Sequence, residues 1–290
     1  MSQPANHPAF SRRTFITGAA ATGVLGSGLL SACGSGAASE DAIEYAIVQR
    51  FPSDVQVPGQ IRLPFSLVDR ADFVIDGPDE LGAQVFDLDG NKIGERITAV
   101  RRGVTPSPYY AFRTTIDDPG LYTIVIDQGP AEGANFQVFE RSEVSIPKPG
   151  DTLAGFETPT VNDPGGVDPI CTREPACEFH SVTLTEALNV AKPVAYFVGT
   201  PALCPTGSCT PALEALVEVS PDFNDDFTIV HSEVFTDTTG SAIAPAVEAL
   251  TLAFEPAVFI TDADGVVIER LDGLWDTTEL RERLSASLNS

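Results

Sequence analysis

The sequence predicts two folds in series: an all-β antiparallel sandwich over residues 42–146 and an α/β unit over 181–290. Three observations lead there. In the first half, short runs rich in β-branched and aromatic residues recur between turn signals. In the second, helical and strand periodicities alternate. Between them, residues 147–180 are rich in Pro, Gly, Asp and Thr with little periodicity, the composition of a linker or an extended wrapping segment.

Bulk properties agree with this division. A chain of 290 residues suits two domains, and 43% apolar residues are enough to fill a core in each. The net charge of −24 argues against nucleic acid or anionic lipid headgroups as partners, because both need clustered Lys and Arg.

At the start, Ser11-Arg12-Arg13-Thr14-Phe15 precedes a mildly apolar, Ala/Gly-rich run that ends Leu30-Ser31-Ala32-Cys33. A positive segment, a short apolar stretch and small residues before a cut site describe an export signal, and the run is too short and glycine-rich for a good transmembrane span. Arg12 and Arg13 in this setting resemble the twin-arginine export signal, and the Leu-Ser-Ala-Cys run resembles the lipobox of secreted lipoproteins. The resemblance implies a signal peptide over 1–32, lipid on Cys33 and a tether over 33–41. The protein would then be exported and held on the outer face of the cytoplasmic membrane, in the cell envelope. Four cysteines remain: Cys171, Cys177, Cys204 and Cys209. An even number in an oxidising compartment reads as two disulfides, with three connectivities open.

Within 42–146 the strand-like runs include Ile61 to Leu67, Ala83 to Asp87 and Tyr109 to Ile116, with Asp89-Gly90-Asn91 as a hairpin turn. The run Asp118-Pro119-Gly120-Leu121-Tyr122 resembles the tyrosine corner of immunoglobulin-like domains, which implies that the Tyr122 hydroxyl ties back to nearby backbone. Chemistry-bearing clusters are missing from this half, so a spacer or protein-binding module is expected.

From residue 181 the expected order is helix (Thr183 to Ala191), buried strand (Val194 to Val198), and a helix capped by Ser208 or Thr210 with Pro211 in its first turn. A strand (Phe227 to Val234) and a helix through Ile243, Val247 and Leu250 follow. Two strands flank Asp264-Gly265. Asp276 and Glu279 then form a capping box for a last helix carrying Leu280, Leu284 and Leu288. This order, with Lys192 to Gly199, Glu255 to Ile260, Asp264 to Val267 and Gly273 as its pieces, resembles the thioredoxin-like family. The resemblance implies an α/β fold and a cis peptide bond before Pro256. It also implies a site where Cys204 attacks, Cys209 resolves and the Pro256 loop docks an extended thiol- or disulfide-bearing protein.

The match departs from the family in its C-x4-C spacing and in Leu203, which stands where an aromatic normally precedes the first cysteine. Three alternatives stay open. A non-catalytic binding or assembly module would keep both pairs as staples; Cys171–Cys177, closed across five residues, is most naturally a structural disulfide. The C-x4-C spacing after Thr200-Pro201 also resembles the bacterioferritin-comigratory peroxiredoxins, implying a thiol peroxidase. A Cys/His metal site would combine Cys171, Cys177 and His180 with Cys204 or Cys209, and with His231 as a further ligand. The spacings match no common zinc pattern, so disulfides are expected in preference to metal, His180 is read as a loop residue, and no cofactor is expected.

Overall fold

The computed structural model describes residues 45–70, 72–103 and 107–289. The export-signal and lipid-anchor residues Arg12, Arg13 and Cys33 lie outside the described residues. The described residues all fall within one compact unit.

Eight strands make the first layer: β1 (Ala46–Gln49), β2 (Gly59–Asp69), β3 (Asp72–Phe73), β4 (Glu80–Phe86), β5 (Lys92–Arg102), β6 (Tyr109–Ile116), β7 (Gly120–Ile126) and β8 (Ala134–Val138). They pair antiparallel in the order β1-β2-β6-β5-β4-β7-β8, with β3 on β2. The sheet folds back on itself through β5, whose early residues pair with β4 while Arg101 and Arg102 pair with Tyr110 and Tyr109 of β6. Alternation explains the result. Leu81, Ala83 and Val85 of β4, and Tyr122, Ile124 and Ile126 of β7, point into one core with Leu63, Phe65 and Leu67 of β2. Asp87 and Asn91 close the turn after β4 with a backbone bond of 3.0 Å, and Gly90 supplies the positive φ that the turn needs. The Tyr122 hydroxyl donates to the Asp118 carbonyl at 2.8 Å, so the corner is present.

The remaining elements are α1 (Leu184–Leu188), β9 (Val194–Val198), α2 (Cys209–Phe223), β10 (Thr228–Ser232), α3 (Pro245–Leu250), β11 (Ala257–Thr261), β12 (Val267–Asp272) and α4 (Thr277–Ser287). Four strands form a mixed sheet in the order β10-β9-β11-β12; only β10 and β9 run parallel. Central strand β9 is buried throughout and divides its side chains by parity. Ala195 and Phe197 enter a core with α2 and α4, while Val194, Tyr196 and Val198 enter a second core with α1 and α3.

The fold class expected from sequence, an α/β thioredoxin-like unit behind an immunoglobulin-like sandwich, is corrected by these elements. Strand outweighs helix across the described chain, and the first half is a nearly closed eight-stranded antiparallel sheet. Two of the expected helices shrink to about one turn. α1 has five residues, ending at Leu188 with Asn189 as its C-cap, just before the Lys192-Pro193 entry to β9; α3 has six and ends where Thr251 turns left-handed. Among the described residues only α2, with 15 residues, and α4, with 11, are substantial helices.

Residues 147–180 run largely as extended chain against the second half. Leu153, Val167, Cys171, Cys177, Phe179 and His180 are buried, and the His231 N–H donates to the Phe179 carbonyl at 2.9 Å along the outer edge of β10. The eight-stranded sheet also docks on the second half. Arg62 of β2 sends its guanidinium to Glu279 of α4 and to the carbonyls of Asp272 and Leu274.

Candidate functional site

Cys204 and Cys209 are joined by a disulfide with Cα atoms 5.9 Å apart. Cys204 lies half-buried in the turn after β9, whereas Cys209 opens α2 and is fully buried. The Cys209 N–H donates to the Cys204 sulfur at 3.3 Å. A free first-turn amide of a 15-residue helix therefore faces the more exposed sulfur, where it and the helix dipole favour negative charge. Ser208 stands at the N-cap without capping through its side chain; its hydroxyl pairs with Thr206 at 2.5 Å instead.

Across from the disulfide, the peptide bond between Glu255 and Pro256 is cis. Pro256 leads into β11, and the Glu255 carboxylate accepts the Thr200 N–H at 2.6 Å. One carboxylate oxygen of Glu255 and the two disulfide sulfurs all lie within 4.8 Å of one another. Burial pushes the Glu255 carboxyl up to about 7, partly offset by the Thr200 hydrogen bond. Because the two sulfurs are bonded to each other, this trio is no metal site. It is a disulfide beside a carboxyl that changes charge near neutrality. In the sequence Glu255 stands out only as the neighbour of Pro256; its sign is an acidic residue set between Phe254 and Pro256 at the mouth of a buried strand.

An apolar groove of about 440 Å³ runs from this site, lined by Pro205, Phe235, Ile243, Leu252 and Phe254 among others. An adjoining cleft of about 260 Å³, which shares Thr206, Phe254 and Glu255 with the groove, is lined also by Ser208, Arg50, Phe51 and Pro52. The first half of the chain thus contributes one wall beside the disulfide.

The disulfide expected between Cys171 and Cys177 is not formed. Their sulfurs are 3.7 Å apart, both thiols are free and buried, and each is turned toward an imidazole. Cys177 Sγ lies 3.4 Å from His180 Nε2 and 3.3 Å from His231 Nδ1, and Cys171 Sγ lies 3.9 Å from His231 Nδ1. The contact with Cys177 drives the Cys171 thiol well below the ordinary range; burial opposes this, and the two histidines add to it. His231 Nε2 donates to the Gly199 carbonyl at 2.9 Å, which leaves Nδ1 as the lone-pair nitrogen facing the sulfurs. His180, read from sequence as a loop residue, is 1% exposed, and its Nδ1 has no hydrogen-bond partner. These four side chains meet one another and exclude Cys204 and Cys209, so the grouping differs from the one the spacing suggested.

Thr172 connects the two clusters. Its N–H and hydroxyl both donate to the buried Glu233 carboxylate, at 2.7 and 3.2 Å, and its hydroxyl oxygen accepts the Ala202 N–H at 3.1 Å. Arg173 reaches α2 through Glu214 at 2.8 Å.

No family model matches the chain, and no curated protein does. Among solved structures it is similar to the crystal structure of trypsin-activated alpha-2-macroglobulin from Escherichia coli, at 19% identity and a TM-score of 0.26. That match covers 41% of this chain and 8% of the other.

Proposed function

We propose that the protein exchanges thiols and disulfides with a polypeptide partner through Cys204 and Cys209, outside the cytoplasmic membrane, to which lipid on Cys33 would hold it. One observation carries this reading: the pair joins a half-exposed sulfur to a buried one at the head of α2, with the Cys209 amide 3.3 Å from the Cys204 sulfur. The membrane address rests on Arg12, Arg13 and the Leu30-Ser31-Ala32-Cys33 run.

In the oxidised form a partner thiolate attacks Cys204 Sγ. The Cys204–Cys209 bond breaks as a partner–Cys204 disulfide forms, and Cys209 leaves as a thiolate that takes up a proton. A second partner thiolate then attacks the partner sulfur of the mixed disulfide and releases Cys204. The partner has lost two electrons and the pair has gained them. In the reverse direction the Cys204 thiolate, favoured by the helix amide, opens a partner disulfide and Cys209 resolves it. The Glu255 carboxyl, protonated below about pH 7, is placed to give or take the proton. The apolar groove beside Phe235, Ile243 and Phe254 suits an extended, apolar partner segment.

The peroxidase alternative has less support, because Thr200 is engaged elsewhere. Its hydroxyl accepts the Val234 N–H at 2.7 Å.

Trapping tests the proposal. Cys209→Ser should accumulate mixed disulfides through Cys204, and Cys204→Ser should not. A pair more reducing than about −300 mV that glutathione leaves untouched is a staple, and the protein is then a binding module. Hydrogen peroxide turnover dependent on Cys204 would instead establish the peroxidase reading.

A further inference from the structure

A second cysteine cluster lies apart from the disulfide. Cys171, Cys177, His180 and His231 are 6%, 7%, 1% and 0% exposed, and one donor atom from each falls within a common sphere of contacts no longer than 4.8 Å. Two thiols and two imidazoles packed this closely need a reason to be there.

We propose that these four side chains form a closed, four-coordinate zinc site that fixes the 170–180 segment to the four-stranded sheet. The spacings fit. A tetrahedral zinc with Zn–S of about 2.3 Å and Zn–N of about 2.0–2.1 Å sets its sulfurs about 3.8 Å apart and its sulfur–nitrogen pairs about 3.6 Å apart. The corresponding separations are 3.7 Å for the two sulfurs and 3.3, 3.4 and 3.9 Å for three sulfur–nitrogen pairs.

Ligand chemistry points the same way. Two thiolates and two neutral imidazoles in a closed tetrahedron suit zinc. The dication cancels the two thiolate charges, so the whole group becomes neutral where it is buried. His231 already has the outer partner that a metal-bound histidine needs: its Nε2–H on the Gly199 carbonyl at 2.9 Å fixes the tautomer with Nδ1 facing inward. His180 turns Nε2 inward, 3.4 Å from Cys177 Sγ. The ring packs on His231 with centroids 4.7 Å apart, and the polar atom it brings to the cluster is Nε2, where a metal bond would satisfy it.

The site is full with four protein ligands and largely buried, which makes it a structural centre with no position left for substrate. It joins chain segments far apart in sequence: Cys171, Cys177 and His180 belong to the Pro-rich segment, and His231 is 54 residues beyond Cys177, on β10. Through Thr172, which bonds Glu233 and the Ala202 amide, the fixed segment also supports the turn that carries Cys204.

Elemental analysis of the purified full chain, expressed with zinc supplied and washed with a mild chelator, tests this. About one zinc per chain should remain, and cobalt(II) exchanged into the site should give the visible bands of tetrahedral thiolate coordination. Cys171→Ser and Cys177→Ser should each lose the metal. Cys204→Ser should keep it, which separates this site from the exchange site proposed above. Because a ligand variant can misfold, the wild-type chain carries an independent readout: Cys171 and Cys177 should resist alkylation until a strong chelator is added, then react together. A Cys171–Cys177 disulfide found by non-reducing peptide mapping would overturn the proposal. So would metal-free protein with both thiols freely reactive, or retention of copper(I) in place of zinc.

Discussion

Arg62 and Glu279, 217 residues apart in sequence, meet as a buried forked pair with two N–O distances of 2.7 Å. The Tyr109 hydroxyl donates to the same carboxylate at 2.6 Å, and Arg113 approaches it at 3.5 Å. This pair joins the eight-stranded sheet to the helix that closes the second half. Asp276 still caps that helix by accepting the Glu279 N–H at 2.7 Å, but the reciprocal half of the capping box is absent because the Glu279 side chain has turned to Arg62.

Breaking this pair from one side should be costly. Arg62→Met leaves the buried carboxylate with only the more distant Arg113 as counter-charge, and a loss of about 3–5 kcal/mol is expected in chemical denaturation. The double variant Arg62→Met with Glu279→Leu should recover most of that loss, since an apolar pair of similar volume fills the same space. Acid should act as the single variant does. Burial alone would raise the Glu279 pKa; the Arg62 charge and hydrogen bonds reverse this and hold it at about 2. A depressed carboxylate gives stability that is full above its unfolded value of about 4.5 and is lost as pH falls toward 2. Glu279→Gln should therefore flatten the acid limb of a stability–pH curve.

Glu255 titrates in the opposite sense. Its pKa is raised to about 7 by burial, so the folded chain holds this proton more tightly than the unfolded one does. Its stabilising contribution is full below about 4.5 and is lost as pH rises through 7. In exchange assays, the rate step near pH 7 should vanish in Glu255→Gln, while a step belonging to the Cys204 thiol should remain. A rate profile identical in shape to the wild type would remove Glu255 from the proton transfer.

The tyrosine corner offers a smaller, cleaner test. Tyr122→Phe removes the hydroxyl that donates to Asp118 and little else, and stability should drop by about 1 kcal/mol. The change should leave disulfide exchange and metal content alone, because Tyr122 belongs to the core of the eight-stranded sheet.

Trp275, the single tryptophan, is fully buried, donates Nε1–H to the Ala212 carbonyl of α2 at 3.2 Å and meets Phe197 edge-on at 5.9 Å. Its emission should be blue-shifted in the native protein and move to the red in one transition on unfolding. Trp275→Ala should cost about 3–5 kcal/mol through the cavity that it leaves.

Much of the local structure was legible in sequence. The apolar run Val194 to Val198 is a strand buried on both faces, the Asp87 to Asn91 turn lies where its composition places it, and Asp276 caps the last helix. Balance among elements was less legible. Leu184 and Leu188 announce helical period without fixing its length, and Pro193 ends α1 early because the next strand must begin. The sequence also hides long-range grouping. Cys171 and Cys177 look like a local staple, and only the folded sheet brings His231 of β10 against them. A histidine inside the apolar run Phe227 to Val234 was the available sign, since a buried imidazole needs a polar reason to be there.

The segment that carries Cys171 and Cys177 also does something for solution behaviour. β10 is an outer strand of its sheet, and its far edge is occupied by that segment: Phe179 takes the His231 N–H, and Asp168 bonds the Thr236 carbonyl at 2.8 Å just beyond the strand. An outer strand left bare is a template for pairing with another chain. The segment that holds the cysteine–histidine cluster therefore covers an edge that would otherwise be open to pairing. Chain that has lost its hold on 170–180 is expected to form oligomers through β10 before it unfolds, visible as light scattering ahead of any red shift in the Trp275 emission.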